Sequence, residues 1–75
     1  MSDMEAARRR LGSNLKAART GRQPRLTQTE VAERSGVHPT EVSRIESGKR
    51  DPKVTTLVRL AKAVEVPPGQ LLDGM

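Results

Sequence analysis

Apolar side chains in this chain recur at intervals of three and four residues. They alternate with polar ones over no useful length, which predicts helices and no strand. Met4, Ala7, Leu11, Leu15 and Ala18 fall on one face of a helix from about Asp3 to Arg19. Ser2 or Asp3 can cap its start, Glu5 lies near the positive end of its dipole, and Thr20-Gly21 ends it. Gly12 stands inside this helix at a cost of about 1 kcal/mol relative to Ala. A second helix begins at Thr27, where Thr27-Gln28-Thr29-Glu30 has the form of a capping box and Leu26 can staple onto Val31. It stops at Ser35-Gly36, because glycine takes the left-handed conformation without a steric cost. Barely two turns long, it cannot persist unless it packs on something. A third helix opens at His38-Pro39, since proline suits the first helical position and holds its predecessor extended. Val42 and Ile45 are its only strongly apolar residues, so most of its surface faces outward until Ser47-Gly48 ends it. Val54, Leu57, Leu60, Ala61 and Val64 make a stripe on a fourth helix, which Val66-Pro67-Pro68 breaks. A final turn, about Pro68 to Leu72, can fold Leu71 and Leu72 back as a lid.

Gly and Pro thus divide the chain into five helical segments with no repeat and no linker. At 75 residues this predicts one all-α domain spanning 1–75. There is no cysteine and no aromatic residue. The first fact removes disulfides, thiolate metal sites and cysteine nucleophiles. The second removes the stacking platform that single-strand binders and many RNA modules use, whereas duplex DNA read by an inserted helix needs none. The single histidine, His38, has no Cys or second His beside it, so a metal role is not expected, nor is any cofactor. No nucleophile–His–carboxylate set and no phosphate-binding glycine loop is present, so the chain does not read as an enzyme, and no small-molecule ligand is evident.

The net charge is +5, and its distribution is uneven. Residues 1–25 hold seven Lys/Arg against two acidic residues, while the other two thirds are each balanced. Such an excess favours a polyanion, either nucleic acid or an acidic membrane surface, but a solvated helix face accounts for it equally well. The run Arg8-Arg9-Arg10 can contact phosphate or a partner, but as a charge run on a helix it reads first as a solvated face. No apolar run approaches the roughly 20 residues needed to span a bilayer, and no membrane role is expected. The N-terminal residues do not form a secretory signal, so the expected location is the cytoplasm, on the nucleoid when bound to DNA.

The informative stretch is 27–47, where a short capped helix, a glycine turn and a second short helix follow one another. Small Ala32 suits a close helix crossing, Gly36 turns the chain, and Val37, Val42 and Ile45 can fill the angle, as a helix-turn-helix requires. From Leu11 to Leu72 the sequence resembles the phage Cro/repressor-like, or XRE-type, helix-turn-helix family. The resemblance is carried by Leu15, Arg19, Leu26-Thr27-Gln28, Val31-Ala32, Gly36-Val37, Val42-Ser43-Arg44-Ile45-Glu46, Gly48-Lys49-Arg50, Pro52, Leu57, Leu60-Ala61 and Leu71-Leu72. It implies a compact five-helix, lambda-repressor-like fold.

The resemblance also implies roles. Pro39, Thr40, Ser43 and Arg44 match outward, base-reading positions of the recognition helix. Arg44 is the candidate for bidentate contact with a guanine, and Thr40 for a thymine methyl group or a hydrogen bond. Thr27 and Gln28 match phosphate contacts at a helix N-terminus, and Gln28 also braces the recognition helix. Ser47, Lys49, Arg50 and Lys53 match the loop that grips the DNA backbone. Arg19 and Glu46 match a structural ion pair. Glu41 beside the groove reads as a helix cap or as an acceptor from cytosine. Three departures from the family pattern stand out. The connection Thr20 to Arg25 is about two residues long beyond expectation, and Arg22 and Arg25 in it read as an extra phosphate clamp or as a surface insertion. Pro39 replaces a side chain that often reads bases, and Glu65 stands where glycine often ends the fourth helix.

The expected function is therefore that of a sequence-specific double-stranded DNA-binding regulator, a repressor acting as a homodimer on a two-fold symmetric operator. One such domain reads only about four to six base pairs, and two copies about one DNA turn apart solve that shortfall. Dimer contacts are expected from Val66, Leu71, Leu72 and Met75, or from the long first helix. The alternative is an antitoxin-like or adaptor module that binds a protein.

Overall fold

The computed structural model describes residues 2–75. Its elements are α1 (Asp3–Thr20), α2 (Gln28–Ser35), α3 (Pro39–Glu46), α4 (Val54–Ala63) and α5 (Pro68–Leu71). The boundaries follow from local chemistry. The Ser2 side chain caps α1 by accepting from the Glu5 N–H. The Thr27–Glu30 capping box forms in both directions, at 3.0 and 2.8 Å. Gly36 ends α2 in the left-handed conformation with φ 73°. His38 caps α3 through Nδ1, which accepts from the Thr40 N–H, and Pro39 takes the first helical position.

The helices α3 and α4 stop in the same way. After α3, the Gly48 N–H reaches the Ile45 carbonyl and the Lys49 N–H the Arg44 carbonyl, the paired bonds of a Schellman motif around a left-handed residue. After α4, Glu65 and Val66 repeat the pattern onto Lys62 and Ala61, but the left-handed residue is Glu65, at φ 59°. A side chain there costs about 1–2 kcal/mol. Arg22 and Arg34 both pair with this carboxylate.

Helix α1 packs on α3 and α5, α2 on α3 and α4, and α5 closes against α4. The buried residues form one aliphatic cluster. Leu15, Ile45, Leu60, Leu71, Val31, Val42 and Val64 lie at its centre with essentially no exposure. Four expectations change at its rim. Met4 is 60% exposed and Ala7 only half-buried, because the buried part of the α1 stripe begins at Leu11 and leaves the first two turns at the edge of the core. Val54 is 76% exposed at the first position of α4, and the buried part of that stripe begins at Leu57. The lid is made by Leu71 alone, as Leu72 points out. With Leu71 buried and Val66 packed on the core, the large exposed apolar residues near the termini, among the described residues, are Met4, Leu72 and Met75.

Two close contacts fix α1 against the rest. A Cβ on Gly12 would lie 2.4 Å from the Ile45 carbonyl oxygen and 2.6 Å from that of Glu46. The glycine inside α1 therefore lets its backbone touch the end of α3. Asn14, which sequence patterning does not single out, donates to the carbonyls of Leu71 (3.0 Å) and Asp73 (2.8 Å) and clips the C-terminal turn onto α1.

Candidate nucleic-acid interface

Helix α3 has eight residues, too few to hold any side chain in place unaided. Its orientation comes from Val42 and Ile45, both fully buried. Helical geometry then turns Pro39, Thr40, Ser43 and Arg44 to the other side, and all four are exposed. Arg44 has no ion-pair partner among the described residues, so its guanidinium stands free on that edge.

A polar bracket sets the angle of this edge. Arg19 Nε donates to Glu46 Oε2 at 2.7 Å, and its Nη2 donates to Oε1 at 2.9 Å. The remaining Nη1 donates to the Leu26 carbonyl at 2.9 Å. Gln28 Nε2 reaches Glu46 Oε1 at 3.1 Å. One carboxylate thus joins the end of α1, the start of α2 and the end of α3. The side chains of Arg19 and Glu46 are only 13% and 5% exposed. Hydrogen bonding to Glu46 raises the Arg19 pKa, against the opposing effect of burial, so the charge is permanent. The ion pair implied by the resemblance is formed, and Gln28 makes a hydrogen bond to the same carboxylate at the end of α3.

Around the edge, Thr27, Ser47, Lys49 and Arg50 are exposed and Gln28 is half-buried. The Ser47 hydroxyl donates to the Arg44 carbonyl at 3.1 Å, which closes the last turn of α3. Arg50 Nε lies 2.9 Å from Glu41 Oε1. This corrects the reading of Glu41 as a helix cap: the cap is His38, and the Glu41 side chain is turned to the loop after α3. Arg22 is also corrected as a free phosphate clamp, because it pairs with Glu65 at the far end of α4. The longer connection is therefore tied to the body, while Arg25 stays exposed.

The exposed edge, the glycine-turned helix pair and the five-helix body are the geometry of a DNA-reading helix-turn-helix. The family profile described as "Helix-turn-helix" matches residues 15–71. The chain belongs to the XRE-type helix-turn-helix family. Among XRE-type relatives, it is 46% identical over 59 residues to the uncharacterized HTH-type transcriptional regulator y4dJ of Sinorhizobium fredii, across 79% of this chain and 74% of that protein. It is 44% identical over 57 residues to the HTH-type transcriptional repressor RghR of Bacillus subtilis. That match covers 75% of this chain but 41% of RghR, so the chain spans about two fifths of that relative. In three dimensions it is similar to the restriction-modification controller protein C.AhdI from Aeromonas hydrophila, with a TM-score of 0.82 and 29% identity over 88% of this chain and 97% of that one. The hypothetical transcription factor NHTF from Neisseria gives a TM-score of 0.82 and 26% identity over 96% and 80% of the two chains. The XRE-type family is one of DNA-binding transcription regulators and not of enzymes. No helix among the described residues is long and apolar enough to cross a membrane.

Proposed function

We propose that this chain is a repressor that binds a two-fold symmetric operator as a homodimer, with α3 lying in the major groove. The observation that carries the reading is the exposed edge of α3: an unpaired Arg44 beside Ser43, Thr40 and Pro39, opposite the anchors Val42 and Ile45. Arg44 presents a planar fork that suits the O6 and N7 acceptors of guanine. Thr40 offers a methyl group to thymine or a hydroxyl to a base edge. Ser43 supplies a second hydroxyl, and Pro39 limits the reach of the first turn, so direct readout is narrow.

Phosphates on either side are held by the Thr27 hydroxyl and the Gln28 side chain at the start of α2, where the Thr27 N–H is already committed to Glu30, and by Ser47, Lys49 and Arg50 after α3. Gln28 serves both ends, since its amide already touches Glu46. Repression is supported by the name of one relative, RghR, and the small size is matched by a restriction-modification controller protein. A dimer is needed because one edge spans too few base pairs, and Met4, Leu72 and Met75 offer exposed apolar surface for it.

Selection of bound duplexes from a random pool tests the whole reading. The expected product is one motif repeated as an inverted pair, with centres about 34 Å or a multiple of it apart. Its affinity should fall steeply as salt rises from low to moderate concentration. A chain that retains no duplex at low salt is not such a repressor, and a protein-binding role then takes its place.

A further inference from the structure

We infer that Arg9, on the first half of α1, is a further phosphate-binding residue that extends the DNA interface onto that helix. The inference rests on the proposed function and concerns a residue that precedes the stretch matched to the family, which begins at residue 15. Three contacts lay α1 along the end of α3 and the loop after it. The Gly12 backbone abuts the carbonyls of Ile45 and Glu46. One turn earlier, a Cβ on Gly48 would lie 3.0 Å from Arg9 Cγ and 3.2 Å from Arg9 Cα. Beside it, Arg8 Nη1 lies 3.5 Å from Asp51 Oδ2.

The stem of Arg9 therefore crosses the loop at Gly48, between Ser47 and Lys49, which both belong to the proposed phosphate set. Gly48 is held there twice over. Its φ of 77° disfavours any side chain, and the space a side chain would fill is occupied by Arg9. The two arginines then divide the work. Arg8 is committed to Asp51, whereas Arg9 has no acidic partner among the described residues and is exposed. The local charge supports the same conclusion. Lys49 and Arg50 follow Gly48 in the loop, and the carboxylates of Asp51 and Glu41 nearby are already paired, with Arg8 and Arg50, while Glu5 one turn before Arg9 makes no ion pair with it. An arginine whose apolar stem rests on a loop and whose charged end stays in water is poised to meet a phosphate with little loss of side-chain freedom. The contact is to backbone, so it adds affinity without sequence preference.

The test measures fluorescence anisotropy of two labelled duplexes, the one recovered by random-pool selection and a random sequence of equal length, over a range of salt. Arg9→Ala should weaken both by the same factor, up to about eightfold at 0.1 M salt. It should also make the slope of log K against log salt shallower by about 0.9, the counterion release of one phosphate contact. Arg9→Lys should keep the slope, because it keeps the charge. Arg59→Ala, which removes a cation from α4 outside this seam, should change neither quantity on this scale. Arg44→Ala is the separate check on the parent reading and should act on the selected duplex alone. An unchanged slope for Arg9→Ala, whether or not affinity falls, overturns the inference while leaving the recognition role of Arg44 standing. Failure of every variant to alter binding, Arg44→Ala included, overturns both.

Discussion

Gly12→Ala sets two physical effects of opposite sign against each other. In an isolated helix the change should stabilise by about 1 kcal/mol, because alanine loses less backbone freedom on folding than glycine does. In this protein the added Cβ would fall 2.4 Å from the Ile45 oxygen, 2.6 Å from the Glu46 oxygen and 2.9 Å from the Glu46 carbonyl carbon. All three are backbone atoms in the last turn of α3. That turn is closed by its Schellman bonds and tied to α1 by Arg19 and Glu46, so it cannot move aside alone. Relief requires α1 and α3 to separate by about an ångström across a close-packed contact, and overpacking of this kind costs about 1–3 kcal/mol. Taking the upper end because backbone meets backbone, and subtracting the propensity gain, the net loss is about 2 kcal/mol. For a domain of this size that lowers Tm by about 8–16 °C. Thermal denaturation followed by circular dichroism at 222 nm measures it. Gly69→Ala is the control, since a Cβ there meets nothing within 4 Å and the substitution should leave Tm unchanged or slightly raised. A Tm for Gly12→Ala equal to or above that of the parent chain would refute the close approach of α1 to α3.

Three further outcomes are expected. Glu46→Ala leaves Arg19 largely buried with only the Leu26 carbonyl, and should cost about 3 kcal/mol in urea denaturation, most of it recovered in the double variant Arg19→Met/Glu46→Leu; a loss below about 1 kcal/mol contradicts the bracket. The Glu30 carboxyl is held below its usual range, first by the Thr27 backbone N–H and then by the Thr27 side chain, so it is more acidic folded than unfolded. Its contribution is then complete above the unfolded value of about 4.3 and is lost as pH falls through the lower folded value. The stability gap between the parent and Glu30→Gln should accordingly be present at pH 7 and close on acidification, whereas a gap independent of pH would deny the capping role of the charge. Glu41→Gln frees Arg50 and removes a negative charge facing the loop, so it should strengthen binding to selected and random duplexes alike in anisotropy titrations; unchanged or weaker binding counts against Arg50 as a phosphate contact.

The parts of the fold that depend on neighbours in sequence are legible in the residues themselves. The Thr27–Glu30 box, the Gly36 stop and the His38-Pro39 start are local devices, and each forms as its residue types require. The inward face of α3 was legible too, because two apolar residues three apart leave a short helix only one way to bury them. Patterning failed at the rims. A stripe shows which face is apolar and not how far along the helix a partner extends, so it places Met4 and Val54 in a core that stops short of them. It also failed where the reason for a residue lies far along the chain. Gly12 reads as a helix defect until α3 is seen against it, and Asn14 is silent until it meets carbonyls 57 and 59 residues away. For the proposed interface, residue types and the family resemblance indicate the candidate members. The pairing of Glu41 with Arg50 and of Arg22 with Glu65 could not be read from spacing, since both depend on how loops fold over helix ends.

A double-mutant cycle reaches the recognition edge most directly. It combines Arg44→Ala with replacement of each guanine of the selected half-site by 7-deazaguanine, which removes the N7 acceptor from the major groove and leaves base pairing intact. At one position the two changes should fail to add, with a coupling of about 1–3 kcal/mol, because each removes the same contact. Strict additivity at every guanine would mean that Arg44 does not read the groove and that α3 is not the recognition helix.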